Sequence, residues 1–383
     1  MRTNSIFPGL VRGPRLRAVT AAKRRSPCKP WGTPVQRAGS LPQLEYSICR
    51  GSLVSDIGFG IVGLGVGKRG AQQAAETPGA RLVVVCDPVE ELAREQADKW
   101  GCEWTRDFTQ VLGREDVEVV GIYTPSGMHG RMAAQALEAG KHVFTTKPLD
   151  IRLEECDRAI RASEKASRVL AVDFGRRWTP ECHRVRRALD EGWLGNVFLA
   201  DLRMKWYRAQ DYYEHGSKWR KTLEYERGSA ANQGAHFLDL LLWWLGDVEW
   251  VYGRSATVAH DVEVEDLTTS LVTFASGAWG VIQTTTAAYP EQAGTIEIVG
   301  ENGTLTWVSG GGVSVECKHE TPSLDSLALG PVPGHIVEDM LGAIREGRAP
   351  IVDGREGRRS VELFEAIYQS SRSQAAVRLP LPV

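Results

Sequence analysis

The sequence predicts an α/β chain: a doubly wound parallel sheet, then an α+β domain with a large, mostly antiparallel sheet. Three observations predict it. A glycine-rich loop stands between a short apolar run and a helical pattern. Apolar runs then alternate with helical patterns as far as residue 175. Beyond that point, apolar runs follow one another through hairpin turns. Strand–helix alternation implies right-handed βαβ units and a parallel sheet covered on both faces, whereas hairpins imply antiparallel pairing.

The run 59–62 reads as a buried strand and 66–77 as a helix, with Gly63-Leu64-Gly65-Val66-Gly67 at the turn. Glycines let the backbone approach a pyrophosphate, and a helix N-terminus presents free N–H groups and a partial positive charge. The next strand, 82–86, ends in Asp87, about 20 residues beyond the turn, where an acid can hold a ribose 2′-hydroxyl. Strand, loop, helix and acid together point to a dinucleotide cradle. The plain alternative is an ordinary βα turn with a chance acid. Helices are expected at 89–99, 128–139 and 153–166, and strands at 118–124, 142–145 and 169–173. Ligands of such sheets bind beyond the carboxyl ends of the strands. Asp87, Thr124-Pro125 and Thr146-Lys147-Pro148 all fall at such ends.

After Arg177 the pattern changes. A helix (181–191) leads to a strand (197–206), a polar aromatic loop (207–227) and a helix (234–244). Strand-like runs follow at 249–257, 268–275, 279–287, 294–299 and 303–308. Ser276-Gly277 and Asn302-Gly303 are hairpin signals. Helices at 335–346 and 357–371 close the chain. The expected organisation is a dinucleotide-binding domain over 54–175 and a substrate-binding and oligomerisation domain over 176–383. Residues 1–53 form a basic extension, disordered or non-native: 1–44 hold nine Lys or Arg and no acid. A transit peptide, a basic tail and an over-extended reading frame all fit it. The last is favoured, because the fold begins cleanly at Ile57.

With 383 residues, 42% hydrophobic and 25% charged, the chain has the composition of a soluble globular protein of two domains. A net charge of -2 offers no field for nucleic acid or an anionic membrane. The most apolar stretch, 237–245, is short and contains Asp239, whereas a bilayer needs roughly 20 apolar residues. Seven scattered cysteines without a C-x-x-C suit a reducing, cytoplasmic setting. Cys182-His183 and Cys317-x-His319 are too sparse for a metal site, and none is expected.

From 57 to 383 the chain resembles the glucose–fructose oxidoreductase / inositol dehydrogenase / MocA family. Its parts occur in the family's order: the glycine loop, Asp87, Thr124-Pro125-x-x-x-His129, Lys147-Pro148, Arg176-Arg177, and Asn232-x-Gly234-x-His236-x-x-Asp239. There are departures. The usual Glu-Lys-Pro is Thr146-Lys147-Pro148, Asn232 stands where Asp is usual, and Lys68 takes the place of a third glycine. They bear on cofactor geometry and substrate choice. The resemblance implies a Rossmann domain holding NAD through Gly63, Leu64, Gly65, Val66, Gly67, Asp87, Thr124, Pro125, His129, Thr146, Lys147 and Arg176. It also implies Lys147 and His236 as the catalytic pair, a carbohydrate or cyclitol substrate, and a homodimer or homotetramer.

The chemistry is consistent with that implication. Oxidising a secondary alcohol requires a base for the hydroxyl proton and a cation beside the developing alkoxide. His236 can take the proton and Lys147 can supply the cation. Asn232, four residues before His236 and expected on the same helix face, can orient the imidazole or hold a second hydroxyl. Taken singly, Lys147 is an ordinary surface lysine, His236 a core histidine and Asn232 an N-cap. Pro88 and Val89, after Asp87, offer no arginine for a 2′-phosphate, so NAD is expected over NADP. Tyr207, Arg208, Trp219 and Arg220 lie in the aromatic, basic loop. Aromatics stack on sugar rings and Arg grips carboxylate or phosphate, although a packed domain edge has the same composition. Two other functions stay open: a hydrolase that oxidises its sugar transiently on tightly bound NAD, and a non-catalytic NAD(H)-binding regulator.

Overall fold

The computed structural model describes residues 55–214 and 218–382; the basic extension lies outside them. The first half runs β1 (Ile57–Val62), α1 (Lys68–Glu76), β2 (Ala80–Cys86), α2 (Glu90–Trp100), β3 (Glu103–Thr105), α3 (Phe108–Leu112), β4 (Val119–Ile122), α4 (His129–Glu138), β5 (His142–Thr146), α5 (Leu153–Ala166) and β6 (Leu170–Asp173). Its strands form one six-stranded sheet in the order β3-β2-β1-β4-β5-β6. Every pairing in it is parallel. Every residue of β1 is buried, as a strand covered by helices on both faces must be. The chain leaves β1 for β2 on one side and reaches β4 on the other. The carboxyl ends of β1, β2, β4 and β5 therefore bring Gly63, Asp87, Thr124 and Lys147 to one edge of the sheet.

The second half runs α6 (Pro180–Asp190), β7 (Val197–Lys205), α7 (Asp211–Glu214), α8 (Ala235–Leu245), β8 (Val248–Ala256), β9 (Leu267–Phe274), β10 (Trp279–Thr285), β11 (Thr295–Gly300), β12 (Gly303–Val308), β13 (Gly312–Cys317), α9 (Ile336–Glu346), α10 (Gly354–Ser373) and β14 (Val377–Arg378). Its eight-stranded sheet has the order β13-β12-β11-β7-β10-β9-β8-β14. Pairing is antiparallel except between β7 and β10. Alternate residues face inward, so Ile282, Ile298, Leu305 and Trp307 join Phe237 and Trp244 of α8 in the core. The outward residues include Leu271 and Trp279, 59% and 70% exposed.

Both expected hairpins form, at 276–277 between β9 and β10 and at 302–303 between β11 and β12. The sequence reading missed β3, β13 and β14. The first and last are very short, and β13 has no fully buried residue to mark a period. Helix α10 begins three residues earlier than expected. The reason is its cap: Asp353 accepts the N–H of Glu356, three residues on, at 2.8 Å, which makes Gly354 the first helical residue.

Candidate active site

The glycine loop is shaped by what lies under it. Gly63 has φ +85°, and a Cβ there would lie 2.7 Å from the Tyr123 carbonyl carbon. A Cβ at Gly67 would collide with the Gly63 main-chain oxygen, and one at Gly70 with the Tyr123 ring at 2.5 Å. Gly65 differs. It is exposed, and a Cβ there would meet nothing within 4 Å. The open side of the loop is therefore at Gly65 and Val66, at the start of α1, where backbone N–H groups suit a diphosphate. Asp87 accepts the Leu64 N–H at 2.7 Å and the Val89 N–H at 2.9 Å. Those bonds tie the acid to the loop and leave carboxylate lone pairs for ribose hydroxyls. Lys68, in the third glycine's place, turns away to Glu95 on α2. Arg106, which sequence reading passed over, donates to the Pro88 carbonyl at 3.1 Å and so stands beside Asp87.

His129 is 1% exposed. One ring nitrogen faces the Pro148 carbonyl at 2.8 Å and the other the Thr124 carbonyl at 2.7 Å. Burial holds its pKa down, so the ring is neutral and donates to only one of the two. It brackets the Thr124-Pro125 turn to the turn carrying Lys147, with no ring nitrogen left to offer a ligand. Thr124 and Pro125 are half-buried beside it, and Thr146 ends β5.

Lys147 crosses to the second half of the chain. Its Nζ donates to the Asn232 main-chain oxygen at 2.7 Å and to Oδ1 at 2.9 Å. Burial pushes its pKa down to about 8, against the opposing pull of Glu226, and the Arg220 charge adds to the fall. The shared helix face expected for Asn232 and His236 does not form. Asn232 lies in the turns before α8, and its carbonyl serves Lys147. Its Nδ2 donates to Glu226 Oε2 at 2.6 Å. His236 is in the first turn of α8, edge-on to Phe174, with Nδ1 buried and unpartnered. Burial, then the charges of Lys147 and Arg176, hold its pKa well below the usual histidine range. It is therefore neutral near pH 7 and able to accept a proton. The helix that carries it is fastened by Asp239, which pairs with Arg177.

Arg176 donates to Ser309 Oγ at 2.6 Å and lies over the Trp307 ring. Arg220 sits between Tyr212 and Trp219, 4.8 and 4.9 Å from their ring centroids. Neither guanidinium has a carboxylate partner among the described residues. Arg208 does: it pairs with Glu291 at 2.9 Å and lies over Trp206. Tyr207 is exposed and packs on Tyr289. The structure thus gathers Lys147, Asn232, His236, Arg176 and Arg220; Arg208 reaches the same Tyr212 ring as Arg220, 5.7 Å from its centroid, but its charge is paired with Glu291. Sequence reading missed Glu226, a buried carboxylate in a loop with no periodicity; Tyr212, one of the aromatics expected in that loop, has a hydroxyl that accepts from Gln233 at 3.1 Å.

Two family models match the chain: an oxidoreductase family with an NAD-binding Rossmann fold over residues 57–174, and a GFO/IDH/MocA C-terminal domain over 182–306. The crystal structure of the WlbA dehydrogenase from Bordetella pertussis, in complex with NADH and UDP-GlcNAcA, is 30% identical, with a TM-score of 0.79 over 86% of this chain and 99% of that one. The chain belongs to the GFO/IDH/MocA oxidoreductase family. Among curated family members, the scyllo-inositol 2-dehydrogenase (NAD(+)) of Bacillus subtilis is 26% identical over 82% of this chain and 95% of its own. The D-apiose dehydrogenase of Paraburkholderia graminis is 26% identical over 79% and 84%. As a family member the protein is an NAD-dependent oxidoreductase of the sugar and cyclitol dehydrogenase type. No helix among the described residues is long and apolar enough to cross a membrane.

Proposed function

We propose that the protein oxidises a ring secondary alcohol of an acidic sugar, one bearing a carboxylate or a diphosphate. The observation that carries this reading is the charge at the site. Lys147, Arg176 and Arg220 face it, and Glu226 is the buried carboxylate among them. Three cations around one acid favour an anionic ligand. The WlbA relative, whose complex contains a nucleotide-linked sugar acid, supports the same class.

The residues then have distinct roles. Gly65, Val66 and the first turn of α1 would hold the diphosphate of NAD, and Asp87 a ribose. NAD bound there would supply the acceptor for the hydride of the carbinol carbon. His236, neutral, accepts the hydroxyl proton, and the Lys147 ammonium stabilises the oxygen as its charge develops. Asn232 presents its oxygens to that ammonium. Arg220, seated between two aromatic rings, grips the anionic group of the substrate. His129 holds the Thr124 and Pro148 turns in register.

The partition at 175/176 belongs to the same proposal, as does the cytoplasmic setting expected from the cysteines. So does a homo-oligomer, for which the exposed apolar face with Leu271, Trp279, Trp250 and Tyr252 is the natural contact.

The test is NADH formation with a UDP-linked uronate, a free uronate, a neutral hexose and inositols. Preference for the acidic members is expected. Preference for neutral inositols or hexoses would overturn the acidic class. Release of an aglycone without net NADH would favour the hydrolase. Lys147→Ala should lower turnover by about 10² or more while NAD still binds.

A further inference from the structure

The loop that precedes α8 places a buried acid behind the lysine. Glu226 is 1% exposed. Its Oε2 accepts from Asn232 Nδ2 at 2.6 Å and from Ser126 Oγ at 3.2 Å, and its Oε1 from the Arg227 N–H at 3.0 Å. Burial pushes the pKa of the Glu226 carboxyl up, against the pull of the Lys147 charge and of the bonds from the Arg227 N–H and Ser126. As a carboxylate it only accepts, so its bond to Nδ2 orients the Asn232 amide. The amide oxygen must then face Lys147, beside the Asn232 main-chain oxygen. The residue next to Lys147 in the chain, Thr146, brings a hydroxyl and no charge.

We propose that Glu226 is a positioning residue for Lys147: through the Asn232 amide it fixes two oxygen acceptors on the ammonium, and it supplies the negative charge that the ammonium faces. The inference rests on the reading of Lys147 as the cation of the reaction. Ser126, from the first half of the chain, closes the arrangement, so the acid is held by both halves at once.

The charges around Lys147 give the direction of the effect. Arg220 opposes its protonation and Glu226 favours it. His129 and His236, which both feel the Lys147 charge, are kept neutral by burial, and Arg176 adds a further cation beside His236. Removing the Glu226 charge leaves the Arg220 cation unopposed, so the lysine loses its proton at a lower pH. A glutamine also carries its own NH₂, which lets the Asn232 amide turn over and aim Nδ2 at the ammonium.

The experiment follows the Lys147 titration by NMR with lysine labelled at the ε-carbon, assigned against Lys147→Arg, without substrate or cofactor. Glu226→Gln should lower the titration midpoint by about one pH unit or more. Glu226→Asp should leave it closer to the wild type. The double variant Glu226→Gln/Asn232→Asp moves the carboxylate one step nearer the ammonium, and should restore the midpoint or raise it. In activity, Glu226→Gln should reduce kcat roughly tenfold or more, with the KM for NAD unchanged, and shift the alkaline limb of the pH profile in the same direction.

An unmoved midpoint in Glu226→Gln, or a double variant no better than Glu226→Gln, overturns the proposal. If Glu226→Gln does not fold, the double variant decides alone. Recovery of the fold and the titration supports the proposal, and a chain that stays unfolded or titrates low overturns it. The NMR arm needs no substrate, so a failed sugar panel with a shifted midpoint would count against the acidic-sugar reading and not against this one.

Discussion

Arg177 and Asp239 meet in a two-point ion pair, Nε to Oδ2 and Nη2 to Oδ1 both at 2.8 Å, with each side chain only 2% exposed. The pair fastens α8, and with it His236, to the segment that carries Arg176. Arg177→Met leaves the Asp239 carboxylate buried and uncompensated, in a place where burial already raises its pKa. The expected loss is about 3–5 kcal/mol in denaturant unfolding. Arg177→Met/Asp239→Leu removes both charges and should regain most of it. A double variant as unstable as the single one would mean that packing around the guanidinium matters more than the charge.

The pH profile of kcat/KM should be flat near neutrality and fall on the alkaline side near pH 8, where Lys147 loses its proton. The acid limb should lie well below the usual histidine range, because burial and the nearby cations keep His236 neutral. Arg176→Met removes one of those cations. The imidazolium is then easier to form, the His236 pKa rises, and the acid limb moves to higher pH. An acid limb that stays in place would separate Arg176 from His236.

Asp87→Ser should raise kcat/KM for NADP relative to NAD by roughly ten- to a hundredfold, the worth of one charge-assisted contact. The substitution removes the acid that repels a 2′-phosphate and leaves Arg106, held at the Pro88 carbonyl, to receive it. If Asp87→Ser merely weakens both cofactors alike, Arg106 does not reach the phosphate.

Arg220→Gln should raise KM for an acidic sugar by about ten- to a hundredfold and leave its neutral analogue little changed. Arg208→Gln should do less, because Arg208 is already paired with Glu291. Equal effects of Arg220→Gln on both sugars would return Arg220 to a packing role on Tyr212 and Trp219.

Much of this arrangement was legible in the residues. The Gly63–Gly67 turn and Asp87 announce themselves, because a strand, a turn and a helix impose local periodicities. Lys147 stood out only through the family resemblance that its Lys-Pro pair helps to carry. Glu226 did not, since its meaning comes from Asn232 and from Ser126, one hundred residues upstream. Arg106 was passed over because β3, three residues long, leaves almost no periodic trace. His129 was expected near the cofactor, and its bracketing of two carbonyls depends on a turn nineteen residues away. Contacts made by folding between distant loops leave no spacing to read.

The last strand carries a consequence for self-association. β14 pairs only Val377 and Arg378 with β8, and the Leu379 N–H closes the ladder on the Glu249 carbonyl at 2.8 Å. Pro380 and Pro382 follow, and neither has an N–H to donate. The chain thus ends this border of the sheet with its own brief strand and then with residues unable to template another. A stray strand from a neighbouring molecule finds no row of donors and acceptors there to extend. Shortening the protein at Ala376 would reopen the 249–251 end of β8, while Ser370 and Ser371 of α10 keep the Gly253 and Ser255 N–H groups. The cost would be read as fibrillar or amorphous aggregation on storage rather than as a slower reaction.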